Sequence, residues 1–382
     1  MHEDETVPGI IESARAVLEA NWRAVGYTVP NAEVYPFQWL WDSCFHAIVW
    51  ARLGESDRAR AELLHLFRMQ AADGFVPHVD YEWSPWHHAD FWGREGASSI
   101  TQPPMFGHAI AELSRRGIDV SDLVGPATAG LRFLLDHRRR VGGLVALCHP
   151  WESGGDDSPR WDHWCEEPWS TVSWYVVKGR LLDGLVTSVD GSPVANDDFV
   201  VGSCGFNALV AFNAFELASV TGDASLESGA ASLVDALATR WDPDSCSWID
   251  TGDAEGDSGR VRTLDALLPV LVEREVEVRD AVFAALLDDA AYGGACGPAG
   301  VHRAESTFAA RTYWRGPAWP QLTYLFWVAA QRHGRTDDAQ RLAQMLVSGA
   351  ERSRWAEYWD ADDGTGLGAA PQSWAALAAV VV

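Results

Sequence analysis

The chain has 382 residues, 47% of them hydrophobic, which is enough apolar mass for one large core or two medium ones. A formal net charge of -25 excludes the positive footprint that nucleic acid or an anionic membrane surface requires. The expected substrate is therefore neutral or small, with no nucleic acid and no membrane as partner. The segment Met1-His2-Glu3-Asp4-Glu5 is acidic where a secretory leader is basic, and no apolar run long enough for a leader follows it, so the expectation is a cytoplasmic protein. Cys44, Cys148, Cys165, Cys204, Cys246 and Cys296 lie far apart, without zinc-ligand spacing or disulfide-scaffold density, and read as small buried thiols.

Helix-period patterns recur along the chain. In order they predict helices over residues 10–24, 42–53, 57–69, 105–116, 126–137, 205–221, 224–240, 278–289, 319–333, 336–348 and 372–381. Short turns such as Leu53-Gly54-Glu55-Ser56-Asp57 and Val220-Thr221-Gly222-Asp223 carry stop and start signals and join consecutive helices into αα-hairpins. Between hairpins run long loops rich in Gly, Pro, Trp and Asp, at roughly 71–103, 139–170, 241–263, 290–318 and 354–371. Loops of that length inside a compact domain usually carry function. About a dozen helices in pairs, with a rich loop after every second one, predict an all-α fold closed into an (α/α)6 toroid, one domain over residues 1–382.

The compositional anomaly is 20 tryptophans, many beside Gly, Pro, Asp or His, as in Trp83-Ser84-Pro85-Trp86-His87-His88. An indole in such a setting needs a flat partner and an acceptor for its N–H, which a sugar ring supplies. Plugging an irregular core is the competing use. Four clusters stand out. In Tyr35-Pro36-Phe37-Gln38-Trp39-Leu40-Trp41-Asp42, two indoles flank a carboxylate that either binds sugar hydroxyls or caps the following helix. In Trp151-Glu152-Ser153-Gly154-Gly155-Asp156-Asp157, glycines let the backbone turn to present an acid among indoles, where desolvation raises a carboxyl pKa as a general acid requires. In Trp355-Ala356-Glu357-Tyr358-Trp359, a carboxylate between aromatics suits a base that activates water. In Arg311-Thr312-Tyr313-Trp314-Arg315-Gly316-Pro317-Ala318-Trp319, Arg315 either meets a substrate oxygen or orients a carboxylate by a bidentate pair.

The strings YPFQWLWDSCFHA, HPWESGGDDSPRWD, YWRGPAW and AEYWDADDGTGLG resemble glycoside hydrolase family 63, in particular its bacterial branch similar to mannosylglycerate and glucosylglycerate hydrolases. The resemblance runs from residue 35 to 374 and implies an (α/α)6 toroid and hydrolysis with inversion. By position it implies Asp156 as general acid and Glu357 as general base. It places Tyr35, Trp39, Trp41, Asp42, Gln102, Trp314 and Trp319 around the sugar being released. Asp157 departs from relatives that often carry Asn, which leaves the acid role open between two neighbours.

The implied activity is inverting hydrolysis of a small α-glucoside or α-mannoside, with glucosylglycerate and mannosylglycerate as candidates. If the leaving group is acidic, an arginine must face it, and Arg160 and Arg315 are the candidates. No cofactor is expected. No metal is expected either, because adjacent His87 and His88 point apart on a regular backbone and no ligand spacing appears. The competing functions are a sugar epimerase or isomerase on the same toroid, which would need paired inner histidines, trehalase or oligosaccharide α-glucosidase specificity, and a sugar-binding protein that has lost a carboxylate. A homo-oligomer is left open.

Overall fold

The computed structural model describes residues 6–166, 168–254 and 258–382. Twelve α-helices are present among them: α1 (Thr6–Asn21), α2 (Leu40–Arg52), α3 (Ser56–Leu66), the single-turn α4 (Ala89–Trp92), α5 (Phe106–Arg115), α6 (Val124–Arg132), α7 (Thr171–Leu181), α8 (Cys204–Thr221), α9 (Ala224–Ala238), α10 (Val276–Leu287), α11 (Pro320–Arg332) and α12 (Thr336–Arg352). Two 3-10 segments, Leu264–Leu271 and Ser373–Ala379, complete the set. The inner ring runs α2, α5, α8, Leu264–Leu271, α11, Ser373–Ala379, each packed on the next and the last returning to α2. Outside it lie α3, α6, α9, α10, α12 and α1, so the first helix and the last inner segment form the hairpin that closes the (α/α)6 toroid.

Position in the ring accounts for the helix patterns. An inner helix has neighbours on nearly every side, and α2 is buried at every residue from Leu40 to Ala51. An outer helix buries one stripe, as α12 does with Ala339, Leu342, Met345, Leu346, Gly349 and Ala350. The 18-residue α8 is long and apolar enough to cross a membrane by length and composition, but 72% of it is buried as an inner staff of the ring. Among the described residues, strands amount to seven two-stranded antiparallel pieces that tie loops together. The pairing of Gln38–Trp39 with Val79–Asp80 ties the segment that enters α2 to the first rich loop, and the pairing of Tyr358–Trp359 with Gly366–Leu367 folds the last one back on itself.

The predicted helices differ from the observed ones in instructive places. The stretch 372–381 folds as a 3-10 segment, and 126–137 ends in a π-helical turn, Phe133–His137. Thr171–Leu181 is a helix that apolar spacing does not predict. It exposes Val172, Tyr175 and Val176, which blurs its apolar stripe, although Ser170 and Ser173 cap its start reciprocally. Leu264–Leu271 is buried throughout, apolar at every position but Asp265, and contains Pro269, so it shows no amphipathic helical period.

Candidate active site

The segment that enters α2 supplies one wall of the site. The helix begins at Leu40, its N-terminal flanking residue Trp39 offers no side-chain cap, and Asp42 stands inside the first turn, so the capping role read for Asp42 is not the one observed. Gln102 performs part of that task, its side-chain carbonyl accepting the Trp41 N–H at 3.3 Å. Trp41 packs edge-on to Trp374 at 5.7 Å. Gly154, with φ of +79°, sits directly beneath the Trp41 ring, and a Cβ there would lie 2.7 Å from it. The turn that presents Asp156 therefore needs glycine both for its left-handed φ and for the closeness of the indole.

The loop carrying Asp156 is pinned from below. Glu152, wholly buried, receives Arg138 through both oxygens at 2.7 and 2.8 Å, and also the N–H groups of Cys148 at 2.7 Å and Thr101 at 3.1 Å. The indole N–H of Trp161 donates to the Gly155 carbonyl and that of Trp174 to the Asp156 carbonyl, both at 2.8 Å. Asp156 is thus aimed by its own backbone. Asp157 points elsewhere: it is buried and accepts Lys178, the chain's one lysine, at 2.7 Å.

Glu357 comes from the opposite end of the chain. Its amide donates to the Ala369 carbonyl, and its carboxylate accepts the Ala369 N–H at 3.0 Å and the Tyr35 hydroxyl at 3.2 Å. Gly368, with φ of +71°, lets that strap pass within contact of the carboxylate, since a Cβ there would lie 2.4 Å from Glu357 Oε2.

Asp156 and Glu357 line one small inner pocket, together with Tyr35, Trp39, Trp41, Asp42, Gln102, Tyr313, Trp314 and Trp374. Burial pushes the Asp156 carboxyl up to about 7, helped by the charges of Asp157 and Glu357 and opposed by Lys178 and the Tyr313 hydroxyl, which donates to it at 3.2 Å. Burial also pushes Glu357 up to about 7, against the hydrogen bonds from Ala369 and Tyr35. Two donors favour the charged form of Glu357 and one that of Asp156, and a charge on Glu357 raises its neighbour. The Lys178 charge favours ionised Asp156 as well, so the two carboxyls titrate as a coupled pair, both raised towards neutrality. Burial and the same two carboxyls hold Asp42 well above the usual range. The rings of Trp39 and Trp314 line the pocket, while their indole N–H groups are buried without partners.

Not every expected contact is in this wall. Trp319 lies behind Trp314, stacked on it at 3.8 Å with planes 9° apart, and supports it instead of touching a ligand. That stack holds Trp314 at φ of +56°, a conformation uncommon for a bulky residue. Arg160 is buried and takes Asp250 and Asp265 with its two terminal nitrogens, joining the acid loop to the inner ring. Arg315 pairs with Asp162 at 2.6 and 2.8 Å and lies 4.0 Å from the Trp169 ring centre. Both arginines therefore act as structural braces, because each guanidinium is already matched to carboxylates, and neither lines the inner pocket or the larger cavity outside it. Tyr313, Trp374 and Gln372 are wall residues that sequence reasoning does not single out. Tyr313 stands inside one of the aromatic motifs, but a tyrosine between an arginine and two tryptophans gives no separate signal of its own.

A larger cavity of about 740 Å3 opens outward from the pocket and shares Tyr35, Trp39, Gln102, Asp156 and Tyr313 with it. Its outer wall includes Phe37, Trp83, His87, His88, Phe91, Trp151, Tyr175 and Lys178. His87 and His88 do not point apart. With His88 at φ of +56°, the rings approach to 4.1 Å. Among the described residues no three His, Cys, Asp or Glu side chains converge as a set of metal ligands. Turnover is expected to survive prolonged chelation unchanged, and loss of activity restored by one divalent ion would contradict this.

Two carboxyls raised towards neutrality on one indole-lined pocket are the equipment for cleaving a glycosidic bond. With the toroid that carries them, they define an (α/α)6 glycoside hydrolase. The profile of the mannosylglycerate hydrolase MGH1-like glycoside hydrolase domain matches residues 35–375, and the chain belongs to that family. It lies within glycoside hydrolase family 63, whose members are inverting α-glycosidases. The mannosylglycerate hydrolase of Rubrobacter radiotolerans is 27% identical over 98% of this chain and 98% of its own. The glucosylglycerate hydrolase of Mycolicibacterium hassiacum is 27% identical over 90% of this chain and 91% of its own. The family 63 mannosylglycerate hydrolase of Thermus thermophilus in complex with glucose superposes with a TM-score of 0.84 at 28% identity, covering 97% of this chain and 99% of that one.

Proposed function

We propose that the enzyme hydrolyses a small α-glucoside or α-mannoside in the cytoplasm, with Asp156 as general acid and Glu357 as general base. Asp156 protonates the departing oxygen while Glu357 draws a proton from water attacking the opposite face of the sugar, and the first product carries the β configuration. The observation that carries this reading is the pair of carboxyls, both raised towards neutrality, on one indole-lined pocket. That the described residues of the inner pocket include no histidine supports hydrolysis over epimerisation. The six free thiols support a reducing compartment. Release of hexose from a panel of glucosylglycerate, mannosylglycerate, trehalose and isomaltose tests the assignment, and no release from any of them would overturn it.

The pH profile follows from the same pair. Activity needs Glu357 ionised and Asp156 protonated, so kcat/KM falls on the acid side as Glu357 gains a proton and on the alkaline side as Asp156 loses one. Both carboxyls are pushed up to about 7, which places a narrow optimum near neutrality. Asp157→Asn removes a charge that raises Asp156 and frees the Lys178 charge that lowers it, so the alkaline limb is expected to move to lower pH. An alkaline limb that stays in place would show that it does not report Asp156.

A further inference from the structure

The outer cavity is the part of the molecule that bond cleavage leaves unexplained. It is continuous with the inner pocket through residues that include Asp156, the group that protonates the leaving oxygen, so its occupant is the aglycone. Its wall is aromatic. Trp83 stacks on Phe37 with centroids 4.7 Å apart and planes inclined by 14°, and donates its N–H to the Pro36 carbonyl at 3.1 Å. Although held in place twice, the ring remains 60% exposed. Tyr175, reaching the cavity from α7, is 57% exposed. Large rings left uncovered at a cavity mouth, one of them fixed in position, are suited to a flat apolar face.

The charges point the same way. The charged side chains in this wall, apart from the histidines, are Glu33, Asp156, Asp157 and Lys178, and among the described residues no arginine lines it. Lys178 is already paired with Asp157. A glycerate carboxylate would enter a wall in which carboxyls outnumber the one lysine, and would have to share that lysine with Asp157.

We propose that the aglycone of this enzyme's substrate is a neutral ring stacked on the aromatic wall that Trp83 and Tyr175 carry to the cavity mouth, in place of a small acid. The proposal rests on the glycosidase reading above. A sugar presents such a face through its C–H bonds and an aryl group through its π face, and the assay separates the two. The whole enzyme is given glucosylglycerate, mannosylglycerate, isomaltose, phenyl α-glucoside and α-glucosyl fluoride. The expected result is a kcat/KM for isomaltose or phenyl α-glucoside at least about tenfold above both glycerates, and a fall of about tenfold in that ratio in Trp83→Ala and Tyr175→Ala, with Tyr175→Phe restoring most of it. Preference for a glycerate glycoside, or a ratio unmoved in both alanine variants, would overturn the proposal. The fluoride has no ring beyond the glycone. Its turnover without any preference for the neutral rings sinks this inference and leaves the glycosidase standing, whereas failure of every substrate removes both.

Discussion

Asp156→Asn is expected to lower kcat for a natural α-glycoside by about 10^3-fold or more, a general acid alone being worth some 10^2 to 10^4. The substituted amide is nearly isosteric, and the turn that presents it depends on Gly154, Glu152 and the Trp161 and Trp174 N–H groups, none of which touches the replaced oxygen. Sugar binding should therefore persist. An α-glycosyl fluoride needs no proton to depart, so the variant should recover much of its rate on that substrate while Glu357→Gln stays inactive on both. Asp157→Asn should remain active near neutrality, because that carboxylate pairs with Lys178 and does not line the inner pocket. The sign of the stability effect gives an independent check. Asp156 and Glu357 have raised pKa values in the folded state, so their favourable contribution is present below the ordinary carboxyl range and is lost as pH rises through about 7. At pH 8 both amide variants should be at least as stable as the parent, and inactivity accompanied by a lower melting point would mean that unfolding, not loss of a proton carrier, had been measured.

Arg138→Met is expected to destabilise the fold by about 3–5 kcal/mol, as unpairing a buried ion pair does. Glu152 would be left as a carboxylate with no exposed surface and only the N–H groups of Cys148 and Thr101 for partners. The thermal midpoint should fall on the order of 5–10 °C. Arg60→Met removes an equally short contact, 2.6 Å to Asp122, but one whose side chains are 31% and 43% exposed, and should cost less than about 1 kcal/mol. Equal effects of the two substitutions would refute the view that burial decides the value of the pair. Because Glu152 lies four residues before Asp156, Arg138→Met should also lower kcat at temperatures where the protein is still folded.

Much of the architecture is readable along the chain because a helix writes its period locally. The outer helices and the turns between hairpins can be placed from apolar spacing and Gly or Asp punctuation. Where an element is buried on every side, as Leu264–Leu271 is, or exposes its apolar residues, as Thr171–Leu181 does, the period vanishes and no helix is predicted.

The site divides in the same way. Acids among indoles and glycines are a local chemical pattern, and that pattern together with a family resemblance is enough to mark Asp156, Glu357 and the residues from Tyr35 to Asp42. Whether a tryptophan meets solvent, sugar or core depends on what lies beside it in space. Trp314 lines the pocket while Trp319, five residues on, is buried behind it, and Trp161 is wholly buried in a loop of the same composition. The arginines make the point by charge. Along the chain Arg160 and Arg315 read as candidates to face an acidic leaving group, with a carboxylate pair as the other reading of Arg315, and only the fold could bring Asp250, Asp265 and Asp162 to them, because an ion pair is set by distances that the order of residues does not contain. Local order thus determined which chemical groups this protein has and which helices carry them, and ring closure decided which of those groups face one another across the pocket.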